Sequence, residues 1–575
     1  PIITWFLHYN RNVSTLITII YQKGGCSMST QTKFSEKDIV KTNPIFSRTR
    51  TTIESAFYAN NMTHIADTAT AYRLAADNPN TIVTDLPIKH TEELGLPADA
   101  KMLVDNHGRI VGRTAAARRL IGSPDVDAEK IDGVLREAIY EGHERDFYTT
   151  DVIVGLDEDF MVKAHLALAE GFEVNLLSYM LNFQTATENW LKRYDDSRAY
   201  DEGDIYLYCD PYWSNPDYPH GLVVIDAQHN AAAVLGLRYF GELKKSTLTL
   251  AWATAHRHGF TACHGGEKTF HFSDRDDQTF AFYGLSGSGK STLTHAKHDG
   301  KFDITVLHDD AFVINREDGS STALEPAYFD KTNDYLPGSR EIQYFTTVMN
   351  VGVTLNEAGQ KVLVTQDLRN GNGRTIKTRY ASTNRVDREI APINAVFWIM
   401  KDDSLPPVVK LTDPVTAATF GLTLATKRST AENVVGADRN ALVIEPFADP
   451  FRAYPLSEDY QDFKALFEKR HVDCYIVNTA NFNGLDIPKE LTLKALEDIA
   501  QSQAAFQPFG KLANMEYIAY DGYPVDFNDA EYVTKLKTRL EIRRDWVKNY
   551  EAQHSDEKLP AEILTSLDNL INSLN

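Results

Sequence analysis

The chain has 575 residues, 43% of them hydrophobic and 24% charged, a balance that fits a globular protein with more than one core. Its formal net charge of −21 excludes a general nucleic-acid binder, which needs a basic surface to displace counterions, but leaves room for anionic small molecules in a local basic pocket. Cys26, Cys209, Cys263 and Cys474 are scattered and form no CxxC pair, so a reducing, cytoplasmic setting with small buried thiols is expected, without a disulfide frame or zinc ribbon.

Residues 1–27 mix apolar side chains with His8, Asn10, Arg11 and Asn12, so no run there is long enough to span a membrane, and no signal-peptide cleavage site follows. Lys23-Gly24-Gly25 can be encoded as AAAGGAGGN, a ribosome-binding sequence just ahead of the Met28 codon. Residues 1–27 are therefore expected to be a non-native or untranslated leader. A polar, loose lead-in is expected to about residue 60. Between residues 81 and 260 helices mix with short strands: 151–155 reads as a strand, 163–181 as helical, and the Tyr-, Asp- and Pro-rich stretch 206–216 as a rigid surface loop.

From residue 260 the pattern changes. Apolar strands are predicted at 279–283, 305–308, 395–400 and 473–479, with helices over 459–469 and 491–503 and an outer amphipathic helix over 529–552. This is an α/β architecture in two lobes, 28–259 and 260–575, with ligands expected at the carboxyl ends of strands.

The strongest local signal is Gly284-Leu285-Ser286-Gly287-Ser288-Gly289-Lys290-Ser291, which fits the P-loop pattern G-x-x-x-x-G-K-[ST]. Its glycines let backbone N–H groups curve around phosphate oxygens, Lys290 offers charge to the β- and γ-phosphates, and the Ser291 hydroxyl can ligate Mg²⁺. Thr292 opens a helix whose N-terminus favours anions. ATP is the expected ligand. Asp309-Asp310, after the strand that follows, could place a carboxylate on the nucleotide's metal.

Several further stretches, in order, resemble the ATP-dependent phosphoenolpyruvate carboxykinases. Tyr239-Phe240-Gly241-Glu242-Leu243-Lys244-Lys245-Ser246 is similar to that family's Y-G-G-E-M-K-K-G, and 259–264, ending in His264, to its metal-histidine segment. The P-loop resembles G-L-S-G-T-G-K-T, residues 325–332 resemble E-G-G-C-Y-A-K-T, residues 405–412 resemble L-P-P-V-S-R-L-T, and Val104-Asp105 with Val111-Gly112-Arg113 resembles V-D…T-G-R. The resemblance implies a two-lobed carboxykinase fold and the conversion of oxaloacetate and ATP to phosphoenolpyruvate, ADP and CO₂. It further implies Mn²⁺ on Lys245, His264 and Asp310, with Lys245 a neutral amine beside the cation Lys244. Arg113 would clamp the substrate carboxylate, Tyr239 would contact substrate or CO₂, and Arg379 would bridge substrate and γ-phosphate, with Arg374 and Arg385 as alternatives. Lys290 and Lys331 would offset charge on the transferring phosphoryl group. No nucleic-acid or membrane partner is implied, and a monomer or weak oligomer is expected.

The pattern also departs from the family. Ala311-Phe312-Val313-Ile314 stands where Glu-His-Gly-Trp follows the acidic pair, Asn433 falls where a nucleotide-binding arginine would stand, and about four residues are inserted near 274–277. Two alternatives therefore stay open: a kinase of the same fold acting on another acceptor with Asp309 as base, and a non-catalytic ATP-binding sensor.

Overall fold

The computed structural model describes residues 29–106, 115–285, 287–366, 368, 371–427, 442–555 and 557–575. Residues 1–28, and with them the expected leader and Cys26, lie outside the described residues, as do Arg113, Ser286 and Asn433.

The first large sheet runs Met62–His64, Phe147–Asp157, Phe160–Ala169, Ile205–Asp210, Ala231–Leu235, Leu222–Asp226, Arg118–Leu120. Its central strands are covered on both faces, which accounts for two departures from the sequence reading. The stretch 163–169 is strand, and the helix begins only at Glu173. A strand buried on both faces shows a continuous apolar run without alternation, which periodicity does not separate from a buried helix. Likewise Ile205–Asp210 is a fully buried strand, and the loop starts only beyond it. The lead-in is not loose either: Ser29 and Thr30 are buried, Gln31 bridges to Gly203, and the helix Arg48–Ala56, capped by Ser47, packs on the sheet.

The second large sheet runs Asp303–His308, Gly265–His271, Gln278–Tyr283, Ala395–Met400, Asp473–Asn478, Val408–Leu411, Met515–Ile518, Phe506–Pro508. It contains all four strands predicted for this half. Gln278–Tyr283, Ala395–Met400 and Asp473–Asn478 are parallel, so their carboxyl ends come out side by side. Residues 274–277, where an insertion was expected, lie in the turn between Gly265–His271 and Gln278–Tyr283, at the opposite end from the phosphate loop.

A smaller sheet carries Tyr328–Lys331, Arg374–Lys377, Phe345–Met349, Lys101–Asp105 and Thr81–Pro87. Here Lys101–Asp105 pairs in parallel with Phe345–Met349, so one sheet takes strands from both sides of residue 260. A fourth sheet pairs Phe260–Cys263 with Phe312–Asn315.

The helices Leu456–Lys469, Lys489–Ala500 and Ala530–Gln553 lie within a few residues of expectation. Asp529 caps the last by accepting from the Glu531 and Tyr532 N–H groups. Its inner face buries Tyr532, Leu536, Leu540 and Val547 together with Arg543, which pairs with Asp402 at 2.9 Å. Among the described residues no helix is long and apolar enough to cross a membrane.

Candidate active site

The helix Phe240–Arg257 begins at Tyr239 and presents Lys244 and Lys245 one after the other. Gly241 leaves room there for the Tyr239 ring, which folds back over the first turn: a Cβ at that position would sit 2.3 Å from Cε1 of Tyr239 unless the ring moved. Tyr239 packs at 6.1 Å from the ring of Phe329, at the edge of the phosphate cavity described below.

Two other turns bring in the partners of the lysines. His264 links Phe260–Cys263 to Gly265–His271, and Asp310 follows the strand Asp303–His308. Buried His308 braces that second turn. Its Nδ1 accepts from the N–H groups of Asp310 (3.0 Å) and Ala311 (3.1 Å), while Nε2–H donates to the Ala327 carbonyl at 3.1 Å. Burial, then the Arg385 charge, holds this imidazole well below its ordinary pKa, which keeps it neutral for both roles.

The Asp310 carboxylate is the meeting point. Oδ2 accepts from Lys244 Nζ at 2.8 Å and Lys245 Nζ at 2.7 Å; Oδ1 faces His264 Nε2 at 3.0 Å and Lys290 Nζ at 3.3 Å. Burial would raise its pKa, but the charges of Lys244, Lys245 and Lys290 outweigh burial and hold it well below the carboxylate range. The two neighbouring lysines are driven apart. Burial lowers both, yet Lys244 is paired with Asp310 and, at 2.9 Å, with Glu325, and ends above its usual value. Lys245 is lowered by burial and by the Lys244 charge to about 8. His264 is also lowered, by burial first and then by Lys290 and Lys245.

His264 is oriented from behind. Its Nδ1–H donates to the Ala448 carbonyl at 2.6 Å, which leaves Nε2 facing Asp310. Ala448 and Phe447 hold left-handed backbone, φ 55° and 53°, uncommon for residues with a Cβ. The Phe451 ring lies 5.4 Å from the imidazole and 4.7 Å from Lys245 Nζ, and Arg118 stacks on it at 4.6 Å while pairing with Glu242.

The phosphate loop leaves the carboxyl end of Gln278–Tyr283 and enters the short helix Lys290–His295 through Gly289 at φ 103°, a conformation that calls for glycine. A cavity of about 170 Å³ is lined by His264, Leu285, Gly287, Gly289, Lys290, Ser291, Thr292, Asp309, Asp310, Phe329, Asp330, Lys331, Asp334 and Arg374. Gly284 and Ser288 lie just behind it: a Cβ on Gly284 would meet Ser288 Oγ at 2.3 Å. A larger cleft of about 390 Å³ lies at the opposite ends of the same strands. Its arginines are already engaged, Arg316 by Asp462 and Arg470 by backbone carbonyls, so the smaller cavity is the one with converging chemistry.

Most of the expected residues thus meet: Lys244, Lys245, His264, Lys290, Asp310, the described loop residues and Lys331. Arg379 does not. It lies outside the cavity lining and pairs with Asp387 at 2.8 Å, whereas Arg374, from the strand Arg374–Lys377, lines the cavity. Arg385 is turned to the carbonyls of Glu325 and Pro326. Asp309 is tied to His295 at 3.3 Å. Cys209, Cys263 and Cys474 are buried thiols, as expected.

The model of the phosphoenolpyruvate carboxykinase family matches residues 111–528, well over half the chain. The chain belongs to this family. Among its relatives, the ATP-type phosphoenolpyruvate carboxykinase of Aeropyrum pernix is 27% identical over 292 residues, 48% of this chain and 57% of that protein. The Staphylococcus haemolyticus enzyme of the same name is 27% identical over 285 residues, 45% of this chain and 47% of that protein. The Dictyostelium discoideum one is 23% identical over 211 residues, 33% and 36%. The chain spans about half the length of the curated relatives it matches.

In this carboxykinase-family site, no three His, Cys, Asp or Glu side chains gather among the described residues. Lys245, His264 and Asp310 do converge, and their chemistry fits a divalent ion: a depressed amine, an imidazole with its lone pair presented, and an ionised carboxylate. Lys245 meets Oδ2 of Asp310 at 2.7 Å and His264 meets Oδ1 at 3.0 Å, so the three groups face one another. Sequence reasoning missed the supporting residues Glu325, His308, Arg118 and Phe451. Of these only Glu325 had a signal, as the first residue of the 325–332 stretch.

Proposed function

We propose that this chain is an ATP-dependent phosphoenolpyruvate carboxykinase, converting oxaloacetate and ATP to phosphoenolpyruvate, ADP and CO₂. The observation that carries the reading is the meeting of Lys245, His264 and Asp310 against the phosphate loop lysine. Loss of CO₂ from oxaloacetate leaves its bonding electron pair as an enolate, whose oxygen then attacks the γ-phosphorus as ADP leaves. A divalent ion, Mn²⁺ in the resemblance, would be held by Lys245, His264 and Asp310 and would supply Lewis acidity to the enolate oxygen. Lys244 keeps Asp310 ionised and depresses Lys245 toward the neutral amine a ligand must be. Lys290, Lys331 and Arg374 line the position of the transferring phosphoryl group and offset its charge. The Ser291 hydroxyl, in the same lining, suits the nucleotide's Mg²⁺. Arg113 would clamp the substrate carboxylate and Tyr239 would border the substrate. The two lobes 28–259 and 260–575, a cytoplasmic location and a monomeric or weakly oligomeric state complete the reading.

A kinase acting on a hydroxyl acceptor is disfavoured by Asp309. Burial would raise its pKa, but the hydrogen bond and charge of His295 hold it far below the carboxylate range, a poor general base. An enolate needs no base. The test is a coupled assay with purified protein, oxaloacetate, ATP, Mg²⁺ and Mn²⁺, run beside His264→Ala. Mn²⁺-stimulated phosphoenolpyruvate that disappears in the variant is expected; no product despite ATP binding rules out oxaloacetate as substrate.

A further inference from the structure

The phosphate loop is gripped from its outer side by two side chains that no motif marks. Lys401 and Thr479 immediately follow the strands Ala395–Met400 and Asp473–Asn478, the next two parallel strands beside the one that feeds the loop. Lys401 Nζ donates to the Gly287 carbonyl at 2.8 Å, and Thr479 Oγ1 donates to the Ser288 carbonyl at 2.7 Å. The Thr479 N–H in turn donates to the Met400 carbonyl at 3.1 Å, which ties the two grips together.

In a trans peptide the C=O and the following N–H point in opposite directions. The Gly287 carbonyl is drawn out to Lys401 while the Ser288 N–H closes a turn onto the Leu285 carbonyl at 2.9 Å, so this peptide is fixed on both sides. The Ser288 carbonyl is drawn out to Thr479, so the Gly289 N–H is turned the other way, and Gly289 lines the phosphate cavity. We infer that Lys401 and Thr479 are positioning residues for the nucleotide: they hold successive loop carbonyls outward, so that the Ser288 N–H closes the loop's turn and the Gly289 N–H is aimed at phosphate before it arrives. The inference rests on the nucleotide reading given above. Glycines make the loop able to curve but do not choose the curve, so an external grip removes an ordering cost that the nucleotide would otherwise meet on binding.

The test is Mg-ATP binding by calorimetry on the full chain, with KM values for ATP and oxaloacetate, for the wild type, Lys401→Met, Lys401→Arg and Thr479→Val. A hydrogen bond from a charged donor is worth more than one from a hydroxyl, so Lys401→Met should weaken ATP binding about tenfold and Thr479→Val about threefold. KM for ATP should rise with them, while kcat, KM for oxaloacetate and melting temperature hold. Lys401→Arg should restore binding to within about twofold, because arginine can also donate to the carbonyl. Wild-type affinity in Lys401→Met overturns the inference. So does a loss that Lys401→Arg does not recover and that comes with a lowered melting temperature. A wild type that binds no Mg-ATP removes the nucleotide reading itself.

Discussion

Two buried charge clusters in this chain have opposite designs. In the N-terminal sheet His165 sits between two carboxylates, Nδ1 at 2.7 Å from Asp151 and Nε2 at 2.9 Å from Asp204, with Lys163 at 3.9 Å from Asp151. The ring is stacked on Tyr206, and Asp204 also accepts from Thr30 and Thr32. Charges there balance, with Asp204 fully buried and Asp151 partly exposed. Around Asp310 three lysines crowd two carboxylates, and the cluster opens on a cavity. A balanced cluster ties chain segments together; an unbalanced one that opens on a cavity is set to receive a further charged group.

The sharpest way to break this comparison is Lys244→Met. It leaves Glu325 buried without its cation and removes one of the charges that keep Asp310 ionised. Urea unfolding should show a loss of about 3–5 kcal/mol, and activity should vanish with it. A variant of wild-type stability would mean that Glu325 is already neutral in the folded protein.

Next in size is the contrast between two arginines. Arg374→Gln should lower kcat/KM about 100-fold, the scale of losing one charged donor from a transferring group. Arg379→Gln should change it less than about threefold, since a half-exposed surface ion pair is worth no more than about 1 kcal/mol. The reverse order in steady-state kinetics would restore Arg379 as the bridging residue.

The smallest effect concerns the balanced cluster. Burial would lower the His165 pKa, but hydrogen bonds to Asp151 and Asp204 raise it from 6.5 to about 8. A raised folded-state pKa means stability that is complete below 6.5 and lost as pH climbs through 8, worth about 2 kcal/mol. The stability difference between wild type and His165→Asn should therefore narrow by about that amount from pH 6 to pH 9. An unchanged difference across that range would remove the bridging role.

The sequence made the chemistry legible where it sits in short contiguous stretches. The P-loop was visible as a contiguous pattern, and Lys244-Lys245, His264 and Asp310 through short stretches whose order resembles the family. Arg374 and Arg379 are five residues apart, and the resemblance favoured Arg379; Arg374, from the strand Arg374–Lys377, lines the cavity, while Arg379 beyond that strand pairs with Asp387. The supports of His264 were hidden too. Ala448 acts through its carbonyl, and Phe451 and Arg118 come from segments hundreds of residues apart in the chain. In the fold, amphipathic helices such as Leu456–Lys469 were plain, while doubly buried strands such as Phe160–Ala169 were not, because burial on both faces erases the alternation that marks a strand.

The small sheet that pairs Lys101–Asp105 with Phe345–Met349 has a consequence for how the protein can be cut. A break in the chain near residue 259 would leave Phe345–Met349 with one open edge and the hairpin Thr81–Pro87/Lys101–Asp105 with another, each inviting wrong partners. Fragments 28–259 and 260–575 made separately should therefore aggregate, whereas made together they should find each other through that shared edge. The substrate side and the nucleotide side would then behave as a split protein, with product formation reporting their reunion.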